Sequence, residues 1–150
     1  ACAMQIGAIL ADANADYQSK IYEFGRNIGL SFQIQDDYLD TFGDVKVGKK
    51  IGGDILNNKK TLLLISALQK ATTEQKASLN NWIATSDNDE GKIKAVSQLY
   101  IDTGAMEYCR DLSKKYFDDA IVYLNQIEDC NPIAKKQIFE VAQLIINRAF

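Results

Sequence analysis

Pro132 is the only proline in 150 residues, and that scarcity constrains the fold more than any other feature. Proline removes an amide donor and clashes with the preceding turn, so almost the whole chain is open to uninterrupted helix. Ala, Leu, Ile, Gln and Lys are abundant, and no hairpin turn stands between alternating strand patterns. Across Asp16 to Phe42, Ile21, Phe24, Ile28, Leu39 and Phe42 recur at helical spacing. This predicts one long helix with Asp16 as N-cap and Gly43 just past its end. Further helices are expected from about Lys59 to Ala71, from caps at Thr72 and Thr73 to about Thr85, from Gly91 to Asp102, and from Ala105 to about Ile127. A last one runs from Pro132 to the end, with Asn131 and Pro132 as its N-cap and N1 pair. The polar cluster Ser86 to Glu90 reads as a loop. The expected class is all-α, a helical bundle.

Composition narrows the chemistry. With 47% hydrophobic residues the chain can bury the core of one soluble domain. Lys and Arg number 17 against 20 Asp and Glu, a net charge of -3, so no cation excess exists to neutralise nucleic-acid phosphates. The absence of His excludes imidazole acid-base catalysis, His-activated nucleophiles and His-ligated zinc. A bound metal must then be a hard cation on oxygen ligands. Cys2, Cys109 and Cys130 are widely spaced with no C-x-x-C pair, which reads as buried structural thiols in a reducing, cytoplasmic compartment. No apolar run approaches the ~20 residues of a membrane span, and no charged lead-in marks a signal peptide. The opening ACAMQIGAILADA starts inside an apolar helical pattern with no cap. The expectation is therefore a preceding segment, with residues 1–150 as the carboxyl-terminal portion of a longer helical protein.

The informative segment is FQIQDDYLD, Phe32 to Asp40. At about 100° per residue, taking Gln33 as zero puts Asp36 near about -60°, Asp37 near about +40° and Asp40 near about -20°. All four lie on one face. Three like charges in one stripe repel unless a cation shares them. An oxygen-only set of this kind suits Mg²⁺, which is usually held by one or two carboxylates together with substrate phosphate. A solvated acidic face is the bland alternative, and two features weigh against it. Upstream, Gly25 and Gly29 thin the helix although each Gly costs about 1 kcal/mol relative to Ala, which suggests close packing or ligand room. Downstream, Gly43, Gly48, Gly52 and Gly53 alternate with Lys46, Lys49 and Lys50, placing cations within reach of a metal-held anion. Asp118 with Asp119 has no third carboxylate one turn on and no such loop, and Asp12 and Asp16 straddle a helix break. Both read as surface charge.

In order, FQIQDDYLD, Gly43-Asp44, GKKIGGD from Gly48 to Asp54, and NKKT from Asn58 to Thr61 resemble the second aspartate-rich region of the trans-isoprenyl diphosphate synthases, the polyprenyl synthetase family. The resemblance is sharpest over Tyr22 to Leu64. It implies the carboxyl-terminal part of an isoprenoid synthase type fold, in which an allylic diphosphate ionises and the cation alkylates isopentenyl diphosphate. Catalysis of that kind is leaving-group stabilisation and positioning, and needs no imidazole. Carried over by position, the resemblance implies that Asp36, Asp37 and Asp40 hold Mg²⁺, Asp36 directly and the others directly or through water. Asp54 would act through metal-bound water. Phe32 and Gln33 would face the catalytic cavity. Lys49 or Lys50, together with Lys59 and less so Lys60, would contact diphosphate.

The family's first aspartate-rich motif is absent from these residues, so half of the metal cage is missing and the 150 residues alone are expected to be inactive. Exposed apolar helix faces would favour self-association, with a homodimer as the expected state. Two other readings stay open. A noncatalytic helical subunit or interaction module has no physical need for clustered, repelling carboxylates, and a class I terpene cyclase would lack the GKxxGxD and NKK elements.

Overall fold

The structure is a computed structural model, described here for residues 1–43, 51–85, 90–128 and 130–146. Among the described residues every regular element is helical: α1 Cys2–Leu10, α2 Ala15–Phe42, α3 Gly53–Leu56, α4 Leu62–Lys70, α5 Thr73–Ala84, α6 Glu90–Asp102, α7 Ala105–Asn125 and α8 Pro132–Ile146. The all-α expectation holds. None of these helices is long and apolar enough to cross a membrane.

The chain divides into two compact units. One gathers Ala1–Gln33 with the chain from Leu112 onward, and the other is Ile34–Asp111. In the first, α1, most of α2, most of α7 and α8 bury Ala8, Ile21, Phe24, Ala120, Leu124, Ile127 and Ala142 against one another. The periodicity read along α2 selects Ile21 and Phe24 for this core, where burying such a side chain contributes about 1.5–3 kcal/mol. Gly25 explains itself by packing: a Cβ there would lie 3.0 Å from both the Ala1 Cα and the Met4 Sδ. Gly29 differs, since among the described residues nothing stands within 4 Å of such a Cβ. Ser31 and Ser113 close the interior with a buried hydroxyl pair at 3.1 Å.

In the second unit, the end of α2, the short α3, helices α4 to α6 and the start of α7 surround Ile55, Leu63, Leu64, Ala67, Leu79, Val96, Tyr100, Ala105 and Cys109, all buried. Local signals place most helix starts. Thr72 caps α5 reciprocally with Gln75, and the Asn131 side chain accepts from the amides of Ile133 and Ala134 at the head of α8.

Several boundaries differ from expectation. Asn14, not Asp16, caps α2, accepting from the Tyr17 amide at 2.8 Å, while Asp16 sits in the first turn and pairs with Lys20. Lys59 lies outside any helix, because Thr61 takes the cap of α4 by accepting from Leu64 N–H. The single turn of α3 falls where only a loop was expected. Glu90 opens α6 rather than closing a loop, and α7 ends at Asn125. Of the cysteines, Cys109 is buried as expected but Cys2 is exposed.

Candidate functional site

The last turns of α2 carry the acidic stripe, and the chain from Ile51 to Thr61 folds back against it. The backbone makes the first contact: Gly52 N–H donates to the Asp40 carbonyl at 2.6 Å. Gly52 is left-handed, with φ +82°, and a Cβ on it would fall 2.7 Å from the Ile93 Cδ1. Both facts select glycine. The Asp40 carboxylate then accepts from Asp54 N–H at 2.7 Å, capping the first turn of α3 from outside it. That turn closes through Asn57 N–H to the Gly53 carbonyl, and Lys59 N–H returns to the Asp54 carbonyl at 2.9 Å.

This return delivers the Lys59 ammonium between two carboxylates. It donates to Asp54 Oδ2 at 2.8 Å and to Asp37 Oδ1 at 3.0 Å. The hydrogen bond to Asp54, followed by that to Asp37, holds the Lys59 ammonium well above the usual lysine range. Asp37 and Asp40 are buried, whereas Lys59 is about half exposed, with 46% of its side chain open. The Lys59 ammonium thus joins buried Asp37 to partly exposed Asp54 while keeping its own contact with water.

Asp37, Asp40, Asp54 and Lys59, four of the residues singled out from sequence, are thus brought together. Asp36 is half-buried on α2, and Phe32 and Gln33 are exposed on the same helix. Lys60 is exposed. Asp44, Lys46, Lys49 and Lys50 lie outside the described residues. The control carboxylates behave as surface charge, Asp118 pairing with Lys114 and Asp119 with Lys115 one turn away.

The three stripe carboxylates do not converge on one point. Asp40 is engaged by a backbone amide and Asp37 by Lys59. Among the described residues no three carboxylates or thiols gather closely enough to hold a metal ion. The donor set nevertheless suits a hard cation, because every ligating atom offered by Asp36, Asp37, Asp40 and Asp54 is a carboxylate oxygen. A cation, the Lys59 ammonium, already sits between two of them.

Sequence reading missed two neighbours on α6. Lys92 is buried at 1% exposure, and its ammonium donates to Asn58 Oδ1 at 2.9 Å. Tyr100 is also buried, beside Thr61, and burial followed by the nearby Asp54 charge pushes its pKa up. The available signal was the spacing Lys92, Val96, Tyr100, a lysine in line with the buried stripe of a helix.

The model of the family described as Polyprenyl synthetase matches residues 1–100. The chain belongs to the polyprenyl synthetase family. Over 148 residues it is 38% identical to the geranylgeranyl diphosphate synthase of Saccharolobus solfataricus, covering 98% of this chain and 44% of that protein. A crystal structure of a geranylgeranyl pyrophosphate synthase superposes with a TM-score of 0.86 at 31% identity, covering 99% of this chain and 47% of that one. A second, the Corynebacterium glutamicum geranylgeranyl pyrophosphate synthase complexed with isoprenyl diphosphate and magnesium, gives 0.85 at 26% identity, with 95% of this chain and 40% of that one covered. The chain therefore spans less than half the length of these relatives. The family resemblance drawn from the motifs stands, and the helical architecture is that of the prenyl synthases.

Proposed function

We propose that residues 1–150 form the carboxyl-terminal portion of a Mg²⁺-dependent trans-prenyltransferase, which condenses an allylic diphosphate with isopentenyl diphosphate into a longer trans-polyprenyl diphosphate. One observation carries the reading: two largely buried carboxylates, Asp37 and Asp54, share the Lys59 ammonium while Asp40 fixes the segment that delivers it. A solvated acidic face has no need of such an arrangement. The likeness to a relative crystallised with isoprenyl diphosphate and magnesium gives it chemical direction.

Asp36, Asp37 and Asp40 would hold Mg²⁺, with Asp54 reaching it through bound water. When bound, the metal supplies Lewis-acid neutralisation of the departing diphosphate. Lys59 supplies fixed positive charge beside Asp37 and Asp54, and the family resemblance gives Lys49 or Lys50 the same task toward diphosphate. A cation that is already oriented by protein carboxylates needs little reorganisation as leaving-group charge develops. Asp40 acts on the backbone, keeping Asp54 and through it Lys59 in register with the stripe. Phe32 and Gln33, exposed on α2, would line the reaction cavity, as the family resemblance implies.

We extend the proposal to a cytoplasmic homodimer. Exposed Ile6, Ile9 and Leu10 on α1 and Ile133, Val141 and Leu144 on α8 leave apolar surface that association would cover, and the three thiols are free.

The test uses the full-length protein. Isopentenyl diphosphate and an allylic diphosphate should be consumed only with Mg²⁺ present, Asp36→Ala should lower turnover by orders of magnitude, and Asp118→Ala should be nearly silent. Equal effects from the two changes, or cyclisation of the allylic substrate without use of isopentenyl diphosphate, would overturn the assignment.

A further inference from the structure

Between Asp54 and α4 the chain must turn sharply to bring Lys59 back over the acidic stripe, and the turn is unfavourable by itself. Asn58 is left-handed, with φ +51°, a conformation that L residues avoid and Asn tolerates better than most. Asn58 is exposed, so its own backbone burial does not hold it there.

Backbone bonds from Asn58 N–H to the Ile55 carbonyl at 3.1 Å and from Lys59 N–H to the Asp54 carbonyl at 2.9 Å close the turn, and α6 adds side-chain support. Helix α6 presents Lys92, Val96 and Tyr100 on its buried stripe, and the two polar members lie at the ends of the NKKT segment. Lys92 Nζ donates to Asn58 Oδ1 at 2.9 Å and reaches the Thr85 carbonyl at 3.5 Å. Buried Tyr100 lies beside Thr61 at the other end of the segment. Lys59 stands between Asn58 and Thr61, and its ammonium lies on Asp37 and Asp54. A small cavity of about 10 Å³ is bordered by Asp54, Asn58, Lys59, Lys92, Val96 and Tyr100. Lys92 is 99% buried, and its bond to an exposed Asn one residue from the candidate diphosphate ligand ties α6 to the turn that carries Lys59.

We propose that Lys92 is a positioning residue that acts through Asn58 to set the turn presenting Lys59, an inference that rests on Lys59 being a diphosphate ligand.

The test is a double-mutant cycle in the full-length protein, with circular dichroism confirming helix content for every variant. Affinity for inorganic diphosphate in the presence of Mg²⁺ is measured for the parent, Lys92→Met, Lys59→Ala and the double variant. Lys92→Met should weaken binding about tenfold, ~1.4 kcal/mol at 25 °C. In the Lys59→Ala background the same change should matter less than about twofold, because the two act as one unit. A merely structural Lys92 would weaken both backgrounds alike, and that result overturns the proposal. In parallel, limited acetylation read by mass spectrometry should find Lys59 about threefold or more labelled in Lys92→Met relative to exposed Lys76. Unchanged Lys59 labelling also overturns it. Should Lys92→Met fail to fold, Asn58→Ala removes the acceptor at an exposed position and is expected to give the same two results. If the parent does not bind diphosphate at all, the functional reading fails while the labelling comparison still decides the role of Lys92.

Discussion

Replacing Lys59 by Met removes the cation from between Asp37 and Asp54 while keeping most of the side chain's apolar length. The Lys59 side chain is 46% exposed, that of Asp37 10% and that of Asp54 20%. A fully exposed pair is worth ~0.2–1 kcal/mol, whereas a buried group stripped of its partner costs ~1–3 kcal/mol. With the lysine half in water and the acids mostly out of it, the screened value falls between, about 1–2 kcal/mol at neutral pH. Alkali should then erase it. Hydrogen bonds to Asp54 and then Asp37 raise the Lys59 pKa above its ordinary 10.5 in the folded protein, so the folded state keeps a proton that the unfolded state releases. The contribution is complete below 10.5 and is lost as pH rises through the folded-state value. Urea unfolding of parent and Lys59→Met at about pH 7 and again above about pH 11 measures both quantities. Lys114→Met, which breaks an exposed pair with Asp118, is the control. The reasoning is refuted if Lys59→Met costs no more than the control at neutral pH, or if the gap between parent and variant widens in alkali.

Three other outcomes follow from the fold. Phe24→Ala empties the centre of the first unit, where the ring is 1% exposed, and should cost ~3–5 kcal/mol in urea unfolding. Gly52→Ala places a Cβ on a left-handed residue and into Ile93. A loss of about 1–2 kcal/mol is expected, with Ile93→Ala relieving the clash but not the backbone penalty, so that the pair recovers only in part. Sedimentation of the full-length protein should give a dimer at micromolar concentration, and a monomer there would leave the exposed apolar faces of α1 and α8 without the proposed explanation.

How much of this was legible in the sequence depends on the range of the forces involved. Where the signal is local, reading succeeds: Thr72 with Gln75, Asn131 with Pro132 and the periodicity of α2 lie within a few residues of what they determine. Even the miss at Asn14 against Asp16 is a contest between two good caps two residues apart, settled after Asp12 turns left-handed at φ +52°. The chain from Gly52 to Thr61 failed to read for a different reason. Its conformation is imposed by the Asp40 carboxylate on Asp54 N–H and by Lys92 on Asn58. Those contacts span 14 residues or more, so helix propensity at Lys59 never had a vote. The site splits along the same line. Repulsion among Asp36, Asp37 and Asp40 announces a need for positive charge, and that need is written in one turn of helix. Its supplier is not. The stripe was read as incomplete without a metal, yet the fold brings its own cation, with Lys59 already on Asp37 and Asp54. One ammonium shared by Asp37 and Asp54 offsets only part of their charge and occupies one oxygen of each, Asp37 Oδ1 and Asp54 Oδ2, so the stripe keeps negative charge that a hard cation would meet.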